Sequence, residues 1–235
     1  MNADLAYALE LADAADALTL PRFRASDLHI ETKPDLTPVT DADRATEHML
    51  RDRIARDRPG ESVFGEEEGD DKGAIRWIVD PIDGTRNFLR GIPVWATLLA
   101  LEREAHVVCG VVSAPALGRR WWAARGEGAS ANGSPIGVSA VAKLSEATVS
   151  CTYGRDLALL EPLVWHARGL GDFWQHMLVA EGALDAAVDA KLAPWDFAAL
   201  EPIVIEAGGQ LAEFRGQTVS TNGLVHDEVL SALSV

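Results

Sequence analysis

The stretch Trp77-Ile78-Val79-Asp80-Pro81-Ile82-Asp83-Gly84-Thr85-Arg86-Asn87-Phe88 constrains this chain more than any other. An apolar run of strand character ends directly in two aspartates, with proline between them and glycine after. Carboxylates so close at a strand end repel one another and cost stability unless cations neutralise them. Hard divalent ions take oxygen ligands, and magnesium in particular is held by a few carboxylates together with water and substrate phosphate. The segment therefore asks for a fold that brings further acids to the same place. Taken alone it also reads as a turn, because aspartate, proline and glycine all favour turns.

Further acids stand in matching settings. Gly65-Glu66-Glu67-Glu68 follows the short apolar run Ser62-Val63-Phe64, and Trp195-Asp196 stands at the start of a helical segment, where Asp196 can cap as well as ligate. Alone, the glutamates read as a solvated patch and the aspartate as a cap. No Cys/His set competes for a metal: the 6 histidines are scattered, and the 2 cysteines, Cys109 and Cys151, form neither a disulfide framework nor a zinc knuckle. A reducing cytoplasm is the setting this predicts.

The 235 residues, 48% of them hydrophobic, suffice for one large domain or two closely packed lobes. The net charge of -15 disfavours nucleic acid and anionic lipid as partners. No stretch approaches the roughly 20 apolar residues of a membrane span, and the amino end carries Asp4, Glu10 and Asp13 where a signal peptide carries basic residues. A soluble, unprocessed protein is expected.

Three-to-four spacing predicts helices over 4–20 (Leu5, Leu9, Ala12) and 44–57 (Ala45, His48, Met49, Ile54), the second stopped by Pro59-Gly60. Apolar runs between turn signals predict strands of one sheet at 62–64, 75–79, 94–101, 107–113 and 120–124. A glycine-rich connection follows at 126–135, and a boundary near 140–147 divides the chain into lobes 1–145 and 146–235. The second lobe alternates extended segments (148–152, 184–188, 210–214) with helices (156–167, 173–182, 196–207), an α/β pattern.

Together and in this order, Gly65-Glu66-Glu67, Asp80 through Phe88 and Trp195-Asp196 with Ala198-Ala199 closely resemble the three signature blocks of the inositol monophosphatase superfamily. The resemblance runs from Lys33, Asp35, Thr37-Pro38-Val39-Thr40 and Asp43 to Glu206-Ala207-Gly208-Gly209 and Thr221-Asn222. It implies an α/β (α+β) layered sandwich that hydrolyses a small phosphate monoester with magnesium and works as a homodimer. It also implies that Glu66, Asp80 and the main-chain carbonyl of Ile82 hold one magnesium, that Asp80, Asp83 and Asp196 hold a second, and that a third ion binds near Glu66. Glu66 and Thr85 would position and deprotonate the attacking water with Asp43 supporting the threonine, and Lys33 matches a family lysine on a loop near the site or is simply solvated. Gly84 and Thr85 lie where backbone N–H groups at a helix start favour a phosphate.

The substrate must be read from residues beyond the metals, since members of the superfamily act on inositol phosphates, sugar bisphosphates, adenosine bisphosphates and histidinol phosphate. By resemblance, Asp172 and Phe173 of Gly171-Asp172-Phe173-Trp174 face the alcohol, as does Asp189. At Asp172 and Asp189 the chain departs from the inositol pattern. Two aspartates suit an alcohol that carries an ammonium and a protonatable ring, as in L-histidinol phosphate. Asp83 through Trp95 and Gly171 through Trp174 also look like the histidinol-phosphate phosphatases of the superfamily. Asp172 as a plain helix cap, and Arg168 as a substrate, structural or subunit-contact residue, stay open. Trp121-Trp122 and Met177-Leu178 are expected in the core. An inositol-1-phosphate phosphatase is the second enzyme reading. A non-catalytic metal- or phosphate-binding regulator would be expected to have lost one of Glu66, Asp80, Asp83, Thr85 or Asp196, and all five are present.

Overall fold

Helix α1 (Ala3–Arg22) is capped by Asn2, whose side chain accepts the Leu5 N–H at 2.8 Å. A hairpin of β1 (Ile30–Thr32) and β2 (Pro38–Thr40) leads into α2 (Asp41–Asp57). Thr40 and Asp43 close a reciprocal cap at its start: the Thr40 hydroxyl accepts the Ala42 and Asp43 N–H groups, and Asp43 Oδ2 accepts the Thr40 N–H at 3.0 Å. The structure, a computed structural model, describes residues 2–34 and 36–234, so Asp35 lies outside the described residues.

The chain continues through β3 (Ser62–Gly65), β4 (Gly69–Asp70), β5 (Ile75–Asp83), α3 (Thr85–Arg90), β6 (Ala96–Arg103), β7 (His106–Ala114), β8 (Arg119–Ala124), β9 (Ala129–Ala131) and β10 (Ser134–Pro135). These strands form one sheet in the order β10-β9-β8-β7-β6-β5-β3-β4, antiparallel except for the parallel pair β3 and β5. Next come β11 (Thr148–Cys151), α4 (Gly154–Leu160), β12 (His166–Arg168), α5 (Asp172–Ala180), β13 (Ala186–Ala190), α6 (Pro194–Phe197), α7 (Leu200–Glu206), β14 (Gln210–Phe214), β15 (Gln217–Thr221) and α8 (His226–Ala232). Their strands form a second sheet, β12-β11-β13-β15-β14.

Period-two alternation sends Trp77, Val79, Leu99 and Leu101 to one face of the first sheet, where they pack against Leu11 of α1 and Leu50 and Ile54 of α2. Ile78, Leu98 and Val112 go to the other face, against Phe173 and Met177 of α5 and Ile203 of α7. Burial on both faces explains why these strands read as continuous apolar runs. On the second sheet, Val149, Val188 and Val219 pack against Leu160 of α4 and Val229 of α8, while Ala187 packs against Val179 of α5. The result is five layers, α, β, α, β, α, the sandwich expected.

Two expected helices differ from the structure, and some elements were not expected at all. The helix expected over 156–167 ends at Leu160, and β12 follows it, parallel to β11. Pro162 explains the stop, since it has no N–H to continue the helix. The helix expected over 196–207 is two, α6 and α7. The hairpin β1–β2, strand β15 and helix α8 carry too few periodic residues to announce themselves.

Candidate active site

Pro81 cannot donate to the sheet, and the register of β5 on β6 breaks between Asp80 and Asp83. Asp80 still pairs with Leu98 and Asp83 with Ala96, so Pro81 and Ile82 bulge from the ladder between them, and α6 brings Asp196 to meet the two aspartates. Carboxylate oxygens of Asp80, Asp83 and Asp196 lie within 4.8 Å of one another. Asp80 Oδ1 accepts the Ile82 N–H at 2.9 Å, Asp83 Oδ2 the Phe173 N–H at 2.8 Å, and Asp196 Oδ2 the Ala193 N–H at 3.2 Å.

These bonds do not compensate the crowding of charge. Burial, then the charges of Glu66, Asp83 and Asp196, hold the Asp80 carboxyl well above its usual range. Asp83 is raised in the same way by burial, Asp172 and Asp196. Asp196 is pushed up to about 6, by burial first and Glu66 second. A set of hard oxygen donors at odds with itself matches the needs of a divalent cation and fits magnesium.

Glu66, at the turn after β3, lines the same cleft, a cavity of about 310 Å³ whose wall includes Ile82, Gly84 and Thr85. Lys33 Nζ lies 2.7 Å from Glu66 Oε1 and 2.5 Å from Glu67 Oε1. Burial penalises the lysine's charge, but the two glutamates outweigh it and leave the amine's pKa raised. Gly84 turns β5 into α3 at φ +81°, and a side chain there would press on the Val94 carbonyl. The Thr85 hydroxyl faces the Ile82 carbonyl at 3.0 Å and Asp43 Oδ1 at 3.3 Å. Asp43, fully buried, is pushed up to about 6 chiefly by desolvation.

The same cleft is also lined by Asp172, Trp195, Tyr153 and Arg86. Asp172 is not the cap of α5: Gly171 holds that position and Asp172 opens the helix at φ +51°. Its Oδ2 accepts Asn87 Nδ2 at 2.7 Å, and its carboxyl is raised by burial and by Asp189. So Asn87 reaches from the metal motif to Asp172, while the Phe173 N–H reaches back to Asp83.

The other expected substrate residues stand elsewhere. The Phe173 side chain is buried at 1% exposure against Trp121, so its share in the cleft is its backbone N–H. That ring packs against the first sheet rather than lining the cavity. Asp189 is buried on β13, bonded by Gln175 Nε2 at 3.0 Å, and acts on the cleft through its charge on Asp172. Arg168 is exposed on edge strand β12, outside the cleft lining. Trp121 and Met177 lie in the core as expected, with Trp122 and Leu178 partly buried beside it.

Tyr153 and Arg86 in the cleft lining escaped the sequence reading, and so did two residues outside it. Glu47 and Arg51, one helical turn apart on α2, look like a solvated pair, yet Glu47 is fully buried and binds the turn that carries Glu66.

The sequence profile described as the inositol monophosphatase family matches residues 2–233. The chain belongs to this family. It is 51% identical to a histidinol-phosphatase of Mycobacterium tuberculosis, over 98% of each chain. With a histidinol-phosphatase of Streptomyces coelicolor the identity is 46%, over 98% of this chain and 97% of the other. Among solved structures, a Thermotoga maritima IMPase matches with a TM-score of 0.92 at 33% identity, over 98% of this chain and 96% of that one. The chain is a phosphatase of the inositol monophosphatase family, and relatives named histidinol-phosphatase share up to 51% of its residues.

Proposed function

We propose that this phosphatase hydrolyses L-histidinol phosphate to L-histidinol and inorganic phosphate, using two or three magnesium ions per subunit, as a cytoplasmic homodimer. No helix among the described residues is long and apolar enough to cross a membrane. The observation that carries the reading is the meeting of Asp80, Asp83 and Asp196 in one cleft with Glu66, with Asp172 in the lining of the same cleft. Glu66, Asp80 and the Ile82 carbonyl would hold one ion, and Asp80, Asp83 and Asp196 another. Bound there, the ions supply a water of lowered pKa and neutralise charge on the attacking and leaving oxygens.

The chain's own groups do the positioning. Thr85 Oγ1, oriented by Ile82 and Asp43, receives a proton from the attacking water as its own passes to Asp43 Oδ1. Asp43 suits that task because burial makes it a stronger base than an exposed aspartate. Glu66 orients the same water, and Lys33 steadies Glu66. The backbone at Gly84 and Thr85 receives phosphate oxygens, since glycine permits the approach.

With Asp172 Oδ2 bonded to Asn87, Oδ1 is left for a cationic alcohol. Asp189 behind it deepens the negative potential. A charge-assisted bond to an ammonium is stronger than one to a ring hydroxyl, and relatives named histidinol-phosphatase reach 51% identity.

Phosphate release from L-histidinol phosphate and from inositol 1-phosphate, with magnesium or with chelator, tests the proposal. The expected kcat/KM favours histidinol phosphate about tenfold or more, the scale of one charged hydrogen bond. Equal or better turnover of inositol 1-phosphate moves the assignment to the second reading. Release from neither ester revives the non-catalytic regulator.

A further inference from the structure

The turn that carries Glu66 is anchored by a residue outside the cleft. Glu47 on α2 is fully buried, and both its oxygens are engaged: Oε2 accepts the Glu67 N–H at 2.7 Å, and Oε1 accepts the Glu68 N–H at 2.9 Å. Arg51 closes on Oε1 through Nε at 3.0 Å and a terminal nitrogen at 2.9 Å. The same guanidinium donates to the Gly69 carbonyl at 2.5 Å and to Asp71 Oδ2 at 2.6 Å. On the other side of Glu66, Gly65 has no side chain because a Cβ there would occupy the space of the Glu47 carboxylate. Glu66 is thus bracketed by a glycine that Glu47 fills and an N–H that Glu47 binds.

Asp43 and Glu47 are one turn apart and share a face of α2. The first meets Thr85 and the second holds the turn of Glu66, so a single helix sets the separation of the two groups that orient the attacking water. We propose that Glu47, locked by Arg51, is a positioning residue for the reaction, fixing the Glu66 turn so that its carboxylate converges with Asp80. The assignment rests on Glu66 being a metal and water residue, as the proposed function has it. Glu47 touches neither metal nor substrate.

Glu47→Gln keeps the shape but sets an NH2 donor against N–H donors. Magnesium affinity is measured by calorimetry on the folded parent and variant, with KM and kcat for the ester and thermal melts in chelator alongside. The expected result is a magnesium affinity weaker by about 10- to 100-fold, the scale of outer-shell losses, with KM for the ester unchanged at saturating magnesium. A role in stability alone would lower the melting temperature and leave the affinity untouched. If Glu47→Gln does not fold, Arg51→Lys, which keeps a cation beside Glu47 but loses the grip on Gly69, is expected to weaken magnesium binding to a smaller degree. A folded variant with parental magnesium affinity, from a parent that binds tightly, overturns this assignment alone. A parent that binds no magnesium overturns both it and the proposed metal role of Glu66.

Discussion

Two sets of acids in this molecule have opposite fates. At the end of β5, Asp80, Asp83 and Asp196 crowd together with mainly backbone N–H groups for company, and their carboxyls are driven up. Just before β13, Asp185 is more deeply placed than Asp83 or Asp196, at 5% exposure, but has its donors arranged: the Ser139 hydroxyl on Oδ1 and the Thr148 N–H on Oδ2 at 2.6 Å. Asn222 completes that joint, with Nδ2 donating to Ser139 Oγ and to the Val141 carbonyl, both at 2.8 Å. Burial does not separate function from structure here; unmet demand does. A satisfied carboxylate joins segments, whereas a cluster that repels itself needs something from outside the chain.

The sharpest break of this comparison is Asp83→Asn, which keeps shape and the bond from Phe173 but removes one charge. Turnover is expected to fall roughly 100- to 1,000-fold, the scale of losing one preorganised electrostatic group. The melting temperature in chelator is expected to hold or rise, because a repulsion has gone. Phosphate release and a melt on the same sample check both; near-normal turnover would sink the two-ion scheme.

Asp185→Asn should do the reverse. An amide there faces an N–H donor, and the expected cost is about 1–3 kcal/mol of stability, seen as a melting temperature several degrees lower, with kcat close to that of the parent. A loss of activity without a loss of stability would erase the contrast.

The smallest effect is in pH. An acid whose folded pKa is raised prefers its proton in the folded state, so its stability cost is fully present above the folded pKa and fades toward the unfolded value of about 4. For Asp196 the upper bound is about 6. Magnesium needs the deprotonated form, so the rise in melting temperature on adding magnesium is expected to be largest near about pH 7.5 and to shrink as pH falls through about 6. A magnesium effect unchanged across that window would mean the ion stabilises the protein somewhere other than this cluster.

The acidic motif that ends β5 was legible because its chemistry is local. Asp80, Pro81, Asp83 and Gly84 are neighbours in the chain, and proline and glycine dictate the same strand break in any sheet they end. The strands at 75–79 and 107–113 were legible because burial on both faces leaves an apolar run. Segments that depend on partners were not. The 166–168 strand exists only because β11 offers an edge, and the 156–167 stretch reads as helix without it. Phe173 follows Asp172, and nothing local says that its ring enters the core while its N–H reaches Asp83.

By itself, then, the sequence determined that acids would be set at a strand end, that the strands around them would be covered on both faces, and which family the chain resembles. Tertiary structure alone decided which acids meet. Glu47 and Asp83 are both carboxylates next to apolar positions, and only the placing of Arg51 and the Glu67 and Glu68 N–H groups satisfies one, while Asp172 and Asp196 crowd the other with like charge. Hydrogen-bond satisfaction and like-charge repulsion depend on distances of a few ångströms between residues far apart in the chain, and those distances exist only once the layers have packed.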